Sequence, residues 1–445
     1  MAKYIVSDAK LVVLKCICCV FAALMLVGCG EDRTYEYEEA TLHNIWIFEQ
    51  MQDYYIHHES LKEQGFKDYF ASPDAYFDKL RKMGTKDSWS YIVVDTIHTD
   101  NHARGYFNHF NSYGFDYELI QDPTGNTTKS FARVLTVYDG SSAQKAQLKR
   151  NDFIETYNGY KLSKNNIENL QKGIRKELTV RRFFFNESTQ QIDLTEAESV
   201  TLSESVYVED KAFPVRKVLN GAGGRKVGYL MCNRLLDKPE EWENVSSDYS
   251  REMDNAFEAF RNEKVNDLII DFRLCNFGNM QMARRMASYV LRDDQQDDVF
   301  AMTKWNDIHQ DKNEVIKFDS SLRGKTLGLN RIYFITSKYT QGAAEWVINA
   351  LRYAMGEEAV VLVGQKTAGQ NVMTAHCGDY YDEKNQCEVI HIYPAVAFVE
   401  NGDGFCDFPN GFEPTIAEDE FSSYELLDYG DENEVLVKMV LSIIQ

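Results

Sequence analysis

RIYFITSKYTQGAAEWVINALRYAMG, residues 331–356, is the stretch on which the fold turns. After Arg331, the five residues 332–336 are all β-branched or aromatic and read as a buried strand. A helix follows from Ala343 to Met355, and Gly356 is placed to stop it. A strand that passes through a short loop into a helix puts that loop at the carboxyl end of a parallel sheet. Ligands bind at such ends, where helix N–H groups stabilise negative charge. Yet the turn itself carries Gly342, between Gln341 and Ala343, where a reactive side chain would be expected.

The pattern extends in both directions. KVGYLMC (226–232) and DLIIDF (267–272) read as buried strands, and AVVLVG (359–364) as a third. Between them, SSDYSREMDNAFEAFRNE (246–263) places Tyr249, Met253, Phe257 and Phe260 on one helical face, and NMQMARRMASYVLR (279–292) is a second helix. The alternation is α/β, and it yields a second loop at a strand end, DFRLCNFGN (271–279). Clustered glycines in NGAGGRKVGYL (220–230) precede a strand rather than a helix, so they do not form a dinucleotide loop.

Upstream, FARVLTVYDGSSAQKAQLKRNDFIETYNGYKL (131–162) holds an alternating strand, a turn at Asp139-Gly140, a short helix, a second strand and an Asn158-Gly159 hairpin signal. These residues resemble a PDZ domain, with Asn151 where that family has a turn glycine. SYGFDYEL (112–119) then lies where PDZ domains carry a carboxylate-binding loop. Backbone N–H groups of Tyr113, Gly114 and Phe115 would cradle a chain-terminal carboxylate there, beside a strand open to β-augmentation. Further upstream, Ile45, Phe48, Met51, Tyr55 and Ile56, then Phe77, Leu80 and Met83, recur near helical spacing and read as an amphipathic helical cap.

The amino terminus reads as a processed segment. Lys3, Lys10 and Lys15 precede the uncharged run CICCVFAALMLV (16–27), which is too short to span a bilayer. Leu26-Val27-Gly28-Cys29 resembles the bacterial lipobox, which implies a mature chain beginning at a lipidated Cys29. The polar residues up to about 40, with the acidic pair Glu31-Asp32, form a tether. Net charge is −21, and the lysine-rich first 28 residues make the remainder more negative still. Such a balance repels phosphate backbones and anionic headgroups, so no nucleic-acid partner is expected.

Five cysteines follow Cys29, an odd number. HCGDYYDEKNQCEVIH (376–391) reads as a hairpin turning at 382–385. Its Cys377 and Cys387 are strand residues, a disulfide, or part of a zinc set with His376 and His391 whose spacing matches no common finger. No metal and no cofactor are expected.

Over nearly the whole expected mature length, the chain is similar to the C-terminal processing, or tail-specific, serine peptidases. That family has a DLRxNxGG oxyanion loop, a TASASE helix start bearing the nucleophilic serine, and a GxKTxGK segment bearing a lysine base. The corresponding segments here are DFRLCNFGN, TQGAAE (340–345) and GQKTAGQ (364–370), and NGDGFCDFPNGFEPTIAEDE (401–420) resembles the closing segment. The resemblance implies an α/β multidomain chain. Its expected parts are a signal peptide (1–28), tether (29–40), helical cap (41–102), PDZ-like β-rich domain (103–212) and crotonase- or ClpP-like peptidase core (213–445).

The resemblance also places Gly342 at the nucleophile and Gln370 at the base position, keeps Glu345 as the acidic neighbour, and puts Asn276, Phe277 and Gly278 in the oxyanion region. Glycine has no atom to attack with, and an amide does not take a proton at neutral pH. The expectation is therefore a lipid-anchored pseudopeptidase of the bacterial cell envelope, at the outer membrane, that binds polypeptides or protein C-termini. One alternative is an active serine-type endopeptidase with a displaced nucleophile, drawing on Ser337, Thr340 and Lys366. Another is an envelope interaction module.

Overall fold

The computed structural model describes residues 34–83, 87–96, 109–122, 126, 128–171, 175–237, 248–381, 388–422 and 426–444. The expected signal and lipidated Cys29, the Glu31-Asp32 pair, the turn at 382–385 and Cys387 lie outside them. Two compact units divide the chain: Met1–Asp95 with His376–Pro394, and Thr96–Ala375 with Ala395–Gln445. The hairpin segment 376–394 thus belongs to the first unit, not to the stretch that surrounds it in sequence.

In the first unit, helix α1 (Thr34–Tyr54) buries Ile47, Phe48 and Met51, and Tyr55 just beyond it is buried too. Helix α2 (Pro73–Arg81) opens on a proline, whose missing N–H costs nothing at a helix start, and buries Tyr76, Phe77 and Leu80. Asn44 is fully buried, and its amide nitrogen donates to the carbonyls of Tyr69 and Ala71 at 2.8 and 2.7 Å, tying the connection to α1. A three-stranded sheet completes the unit, with strand Glu388–Tyr393 between Tyr91–Thr96 and Asp379–Tyr381.

The second unit opens with an antiparallel sheet in the order Glu198–Leu202, Lys176–Arg181, Phe153–Tyr157, Ser130–Val137, Phe115–Gln121, with Tyr160–Lys161 paired to Phe153–Tyr157. Asn158 and Gly159 have φ of 46° and 78°, as a two-residue hairpin turn requires, and Asn151 is left-handed at 71°. The short helix α3 (Ser142–Lys145) buries Ala143 against Tyr113, Val134, Ile154 and Leu178.

The α/β core follows. Its sheet runs Arg216–Asn220, Lys226–Met231, Asp267–Asp271, Ile332–Thr336, Val360–Gly364, Ile416–Ala417, parallel throughout except for the first pair. Alternate residues face opposite ways, as the pleat dictates. Leu230, Leu268, Ile270, Phe334 and Leu362 join the layer that includes helices α4 (Tyr249–Glu263), α5 (Met280–Val290) and α6 (Ala343–Met355). Tyr229, Ile269, Tyr333 and Val361 face α7 (Val435–Ile443). A second, antiparallel sheet of Glu314–Lys317, Val299–Trp305, Ala395–Glu400 and Val372–Thr374 adjoins the first layer.

A buried charge cluster ties the antiparallel sheet to this core. Arg273, fully buried at the end of strand Asp267–Asp271, pairs with Asp271, Glu420 and Glu434 at 2.8 Å each. Glu434 in turn caps α7 by accepting from the N–H groups of Leu436 and Val437. Arg150, from the antiparallel sheet's side, reaches Glu420 at 3.0 Å and donates to the carbonyls of Leu135 and Leu427. Burial opposes ionisation of Glu420, but the two guanidinium groups outweigh it and hold the carboxyl below its ordinary range. Removing the central cation leaves carboxylates buried and uncompensated. Arg273→Met is expected to lower unfolding free energy by about 3–5 kcal/mol, measured by urea denaturation; a loss under about 1 kcal/mol would show that the cluster rearranges freely.

Candidate active site

The loop after strand Ile332–Thr336 is held from beneath. Thr340 donates its hydroxyl to the Phe272 carbonyl at 2.8 Å, Ser337 donates to the Arg273 carbonyl at 2.6 Å, and the Ser337 N–H donates to Thr340 Oγ1. Both side chains are buried, Thr340 at 0% and Ser337 at 7% exposure, and their protons are committed to the main chain. Lys366 points elsewhere, exposed and paired with Glu413 at 2.7 Å. The geometry does not bring these three together as a reactive set.

It does bring together Gly342 and Gln370. Gly342 is the N-cap of α6, with φ 58° and ψ −115°. A side chain there is strained, and strained residues at strand-to-helix turns are characteristic of nucleophile positions. A Cβ built on Gly342 would stand 2.8 Å from Gln370 Oε1 and 3.2 Å from its Cδ. The Gln370 amide therefore occupies the space into which a nucleophile would project.

Glu345 organises this pair. Its buried carboxylate accepts from Gly342 N–H at 3.1 Å, Gln370 N–H at 2.7 Å, Gly369 N–H at 2.7 Å and the Thr367 hydroxyl at 2.6 Å. Thr367 also accepts from Phe412 N–H, so the closing segment is fastened to the same cluster. Burial pushes the Glu345 carboxyl up to about 7, against the four hydrogen bonds that favour its charge.

Asn276, Phe277 and Gly278, expected from the sequence in an oxyanion region, lie alongside. Phe277 and Gly278 pair in parallel with Arg234 and Leu235, and Gly278 is packed so closely that a Cβ would meet those of Leu235 and Ala343 at 2.6 and 2.7 Å. Gln341 clamps this loop to the helix start: its N–H donates to the Cys275 carbonyl and its side chain to the Asn276 carbonyl. Trp346 donates from its indole to the Gln370 carbonyl at 3.2 Å. The sequence alone does not single out Gln341, Trp346 and Thr367 as supports of the site. Gln341 and Thr367 stand inside the quoted motifs, whereas nothing local marks Trp346.

Tyr113, Gly114 and Phe115 lie in the antiparallel sheet's part of the unit. The rings of Tyr113 and Phe115 are buried, and Gly114 has φ 86°. The Gly114 N–H donates to Ser112 Oγ at 3.0 Å, and its carbonyl accepts from Tyr138 N–H. A Cβ at 114 would meet that of Ser141 at 2.0 Å, so any substitution there strikes the fold before it tests ligand capture. The following strand Phe115–Gln121 ends the order of its sheet.

Gly342→Ala should cost about 1–3 kcal/mol from the left-handed backbone, and Gln370→Ala in the same chain should recover only the part due to crowding; full recovery would assign the glycine to space alone. The Glu345 carboxyl is raised on folding, so the folded state binds the extra proton. Its contribution is fully present below about pH 4.5 and is lost as pH rises toward about 7. The wild-type minus Glu345→Gln difference in urea midpoint should therefore drift across that window and level above it; a flat difference would refute the assignment.

The peptidase family S41 model matches residues 226–378, a span that contains residues 276–278, Gly342, Glu345 and Gln370. No curated protein matches the chain. Among solved structures, a candidate S41 protease from Bacteroides fragilis is 27% identical, with a TM-score of 0.74, over 89% of this chain and 96% of its own. A mutant of the protease CPAF is 11% identical over 92% and 98%, with a TM-score of 0.52, and shares the fold. The photosystem II D1 C-terminal processing protease is 15% identical over 89% and 97%, with a TM-score of 0.48. Residues 226–378 thus match peptidase family S41 by sequence, and the chain is similar in fold to S41 proteases.

Proposed function

We propose that this chain is a lipid-anchored pseudopeptidase that binds polypeptides, or protein C-termini, without cleaving them. The observation that carries the reading is the meeting of Gly342 and Gln370. The two positions that the family resemblance assigns to nucleophile and base face each other at side-chain distance, and neither holds an atom able to do the chemistry. Glu345, the acidic residue beside the pair, keeps four hydrogen bonds to its carboxylate. A relocated nucleophile finds no support, because the hydroxyls of Ser337 and Thr340 are buried and engaged and Lys366 pairs with Glu413.

The binding half rests on the PDZ-like reading of residues 103–212, with Tyr113, Gly114 and Phe115 as the carboxylate loop and the strand after them as the edge for an added peptide strand. A carboxylate reaching Gly114 N–H must displace the Ser112 hydroxyl, which sets a modest affinity. The envelope location rests on the lipobox-like residues ending in Cys29. Among the described residues no helix is long and apolar enough to cross a membrane.

The deciding experiment compares the natural chain with Gly342→Ser/Gln370→Lys on a denatured protein substrate. The natural chain should give no turnover, while the double substitution should raise cleavage on the order of a hundredfold or more above that baseline. Turnover by the natural chain that disappears in Ser337→Ala or Thr340→Ala would overturn the proposal. Peptide capture is checked with labelled C-terminal peptides, whose binding should fall when the terminal carboxylate is amidated; no binding of either form would remove that half.

A further inference from the structure

The hairpin of the first unit carries a cluster that the S41 reading leaves unused. Asp379 and His391 stand directly opposite each other on strands Asp379–Tyr381 and Glu388–Tyr393. Pairing continues toward the foot of the hairpin, where Cys377 N–H donates to the Ile392 carbonyl and Ile392 N–H to that of Gly378. This brings His376 alongside. His376 Nε2 and His391 Nδ1 each lie 2.5 Å from one and the same oxygen, Asp379 Oδ1. The His376 ring rests against Tyr393 at 5.3 Å between centroids, and Tyr393 is stacked on Tyr91 at 4.6 Å, so the imidazole has a fixed wall behind it.

Two imidazole nitrogens and a carboxylate oxygen converging on one point form a three-ligand donor set. All three donor atoms lie within 4.8 Å of one another. Around a tetrahedral zinc ion with bonds of about 2.0–2.1 Å, donors sit roughly 3.3 Å apart. The set must therefore open by a little under about 1 Å, which side-chain rotation supplies, since His376 and Asp379 are exposed and His391 is half-buried. Imidazole donors select against magnesium and calcium, which require shells of oxygen.

We propose that His376, Asp379 and His391 bind one borderline divalent transition-metal ion, Zn2+ foremost, which staples the foot of the hairpin and leaves an outward coordination position open. The sequence alone groups His376 and His391 with cysteines and leads to the expectation of no metal. The carboxylate ligand emerges only from the strand register. Each histidine must present a lone pair, so loading switches its tautomer or releases its proton, and affinity falls in acid.

The test uses the full-length chain in detergent, stripped with a chelator and titrated with ZnCl2 calorimetrically. The wild type should take up one Zn2+ more than His376→Ala/His391→Ala, and Asp379→Asn should weaken that site about tenfold or more. Zinc should raise the melting temperature of the wild type only, and Ca2+ at the same concentration should not. Equal stoichiometry and affinity in the wild type and the double variant would overturn the proposal. If the double variant melts early in chelator, the ligand-field absorption of added Co2+ decides: bands in the wild type that vanish in Asp379→Asn support the site, and their absence from the wild type refutes it.

Discussion

Arg273 is the residue on which the second unit depends. A guanidinium sealed from water at the end of a central strand is tolerated only where anions surround it, and Asp271, Glu420 and Glu434 meet that demand from three separate parts of the chain. Each partner has a second duty. Asp271 accepts from the Tyr229 hydroxyl, Glu434 caps a helix, and Glu420 also holds Arg150. Satisfying one cation thereby aligns the strand end, the closing segment, the last helix and the neighbouring antiparallel sheet. The loop that leaves Arg273 then offers its carbonyls to Ser337 and Thr340, which positions the start of α6.

The candidate site is assembled at the end of that chain of constraints. Glu345 performs locally what Arg273 does for the unit, gathering donors from Gly342, Thr367, Gly369 and Gln370 around one buried charge. In the proposed pseudopeptidase the scaffold that would aim a reactive serine is kept, and its aim falls on an amide. This separation is physically reasonable. A nucleophile contributes little to folding, whereas a buried acidic side chain and its donors are costly to break.

Much of this was legible in the sequence, for identifiable reasons. The stretch from Ile332 to Met355 announces itself because a run of buried strand residues gives way to helical spacing with a glycine at each end of the helix. Asn158-Gly159 and Asn151 were legible because few residues accept positive φ. The facing of Gly342 and Gln370 came from motif resemblance, since nothing in a 28-residue separation implies contact. Three kinds of feature left no local trace. Strand Tyr91–Thr96 has a partner whose identity depends on the distant hairpin. The acids around Arg273 lie about 150 residues away except for Asp271. The convergence on Asp379 exists only once the register is set.

The order of that small sheet bears on how the protein is made. Its middle strand, Glu388–Tyr393, must join Tyr91–Thr96 across roughly 300 residues of intervening chain. During synthesis from the amino terminus, α1 and α2 emerge early, and their unit lacks its central strand until nearly nine-tenths of the chain has been made. The second unit's antiparallel sheet is by then complete and most of its parallel core has appeared. The amino-terminal unit is thus the first to begin and among the last to finish, and a nascent chain carries an unpaired strand edge throughout. That interval is the time in which a chaperone would find the nascent chain open.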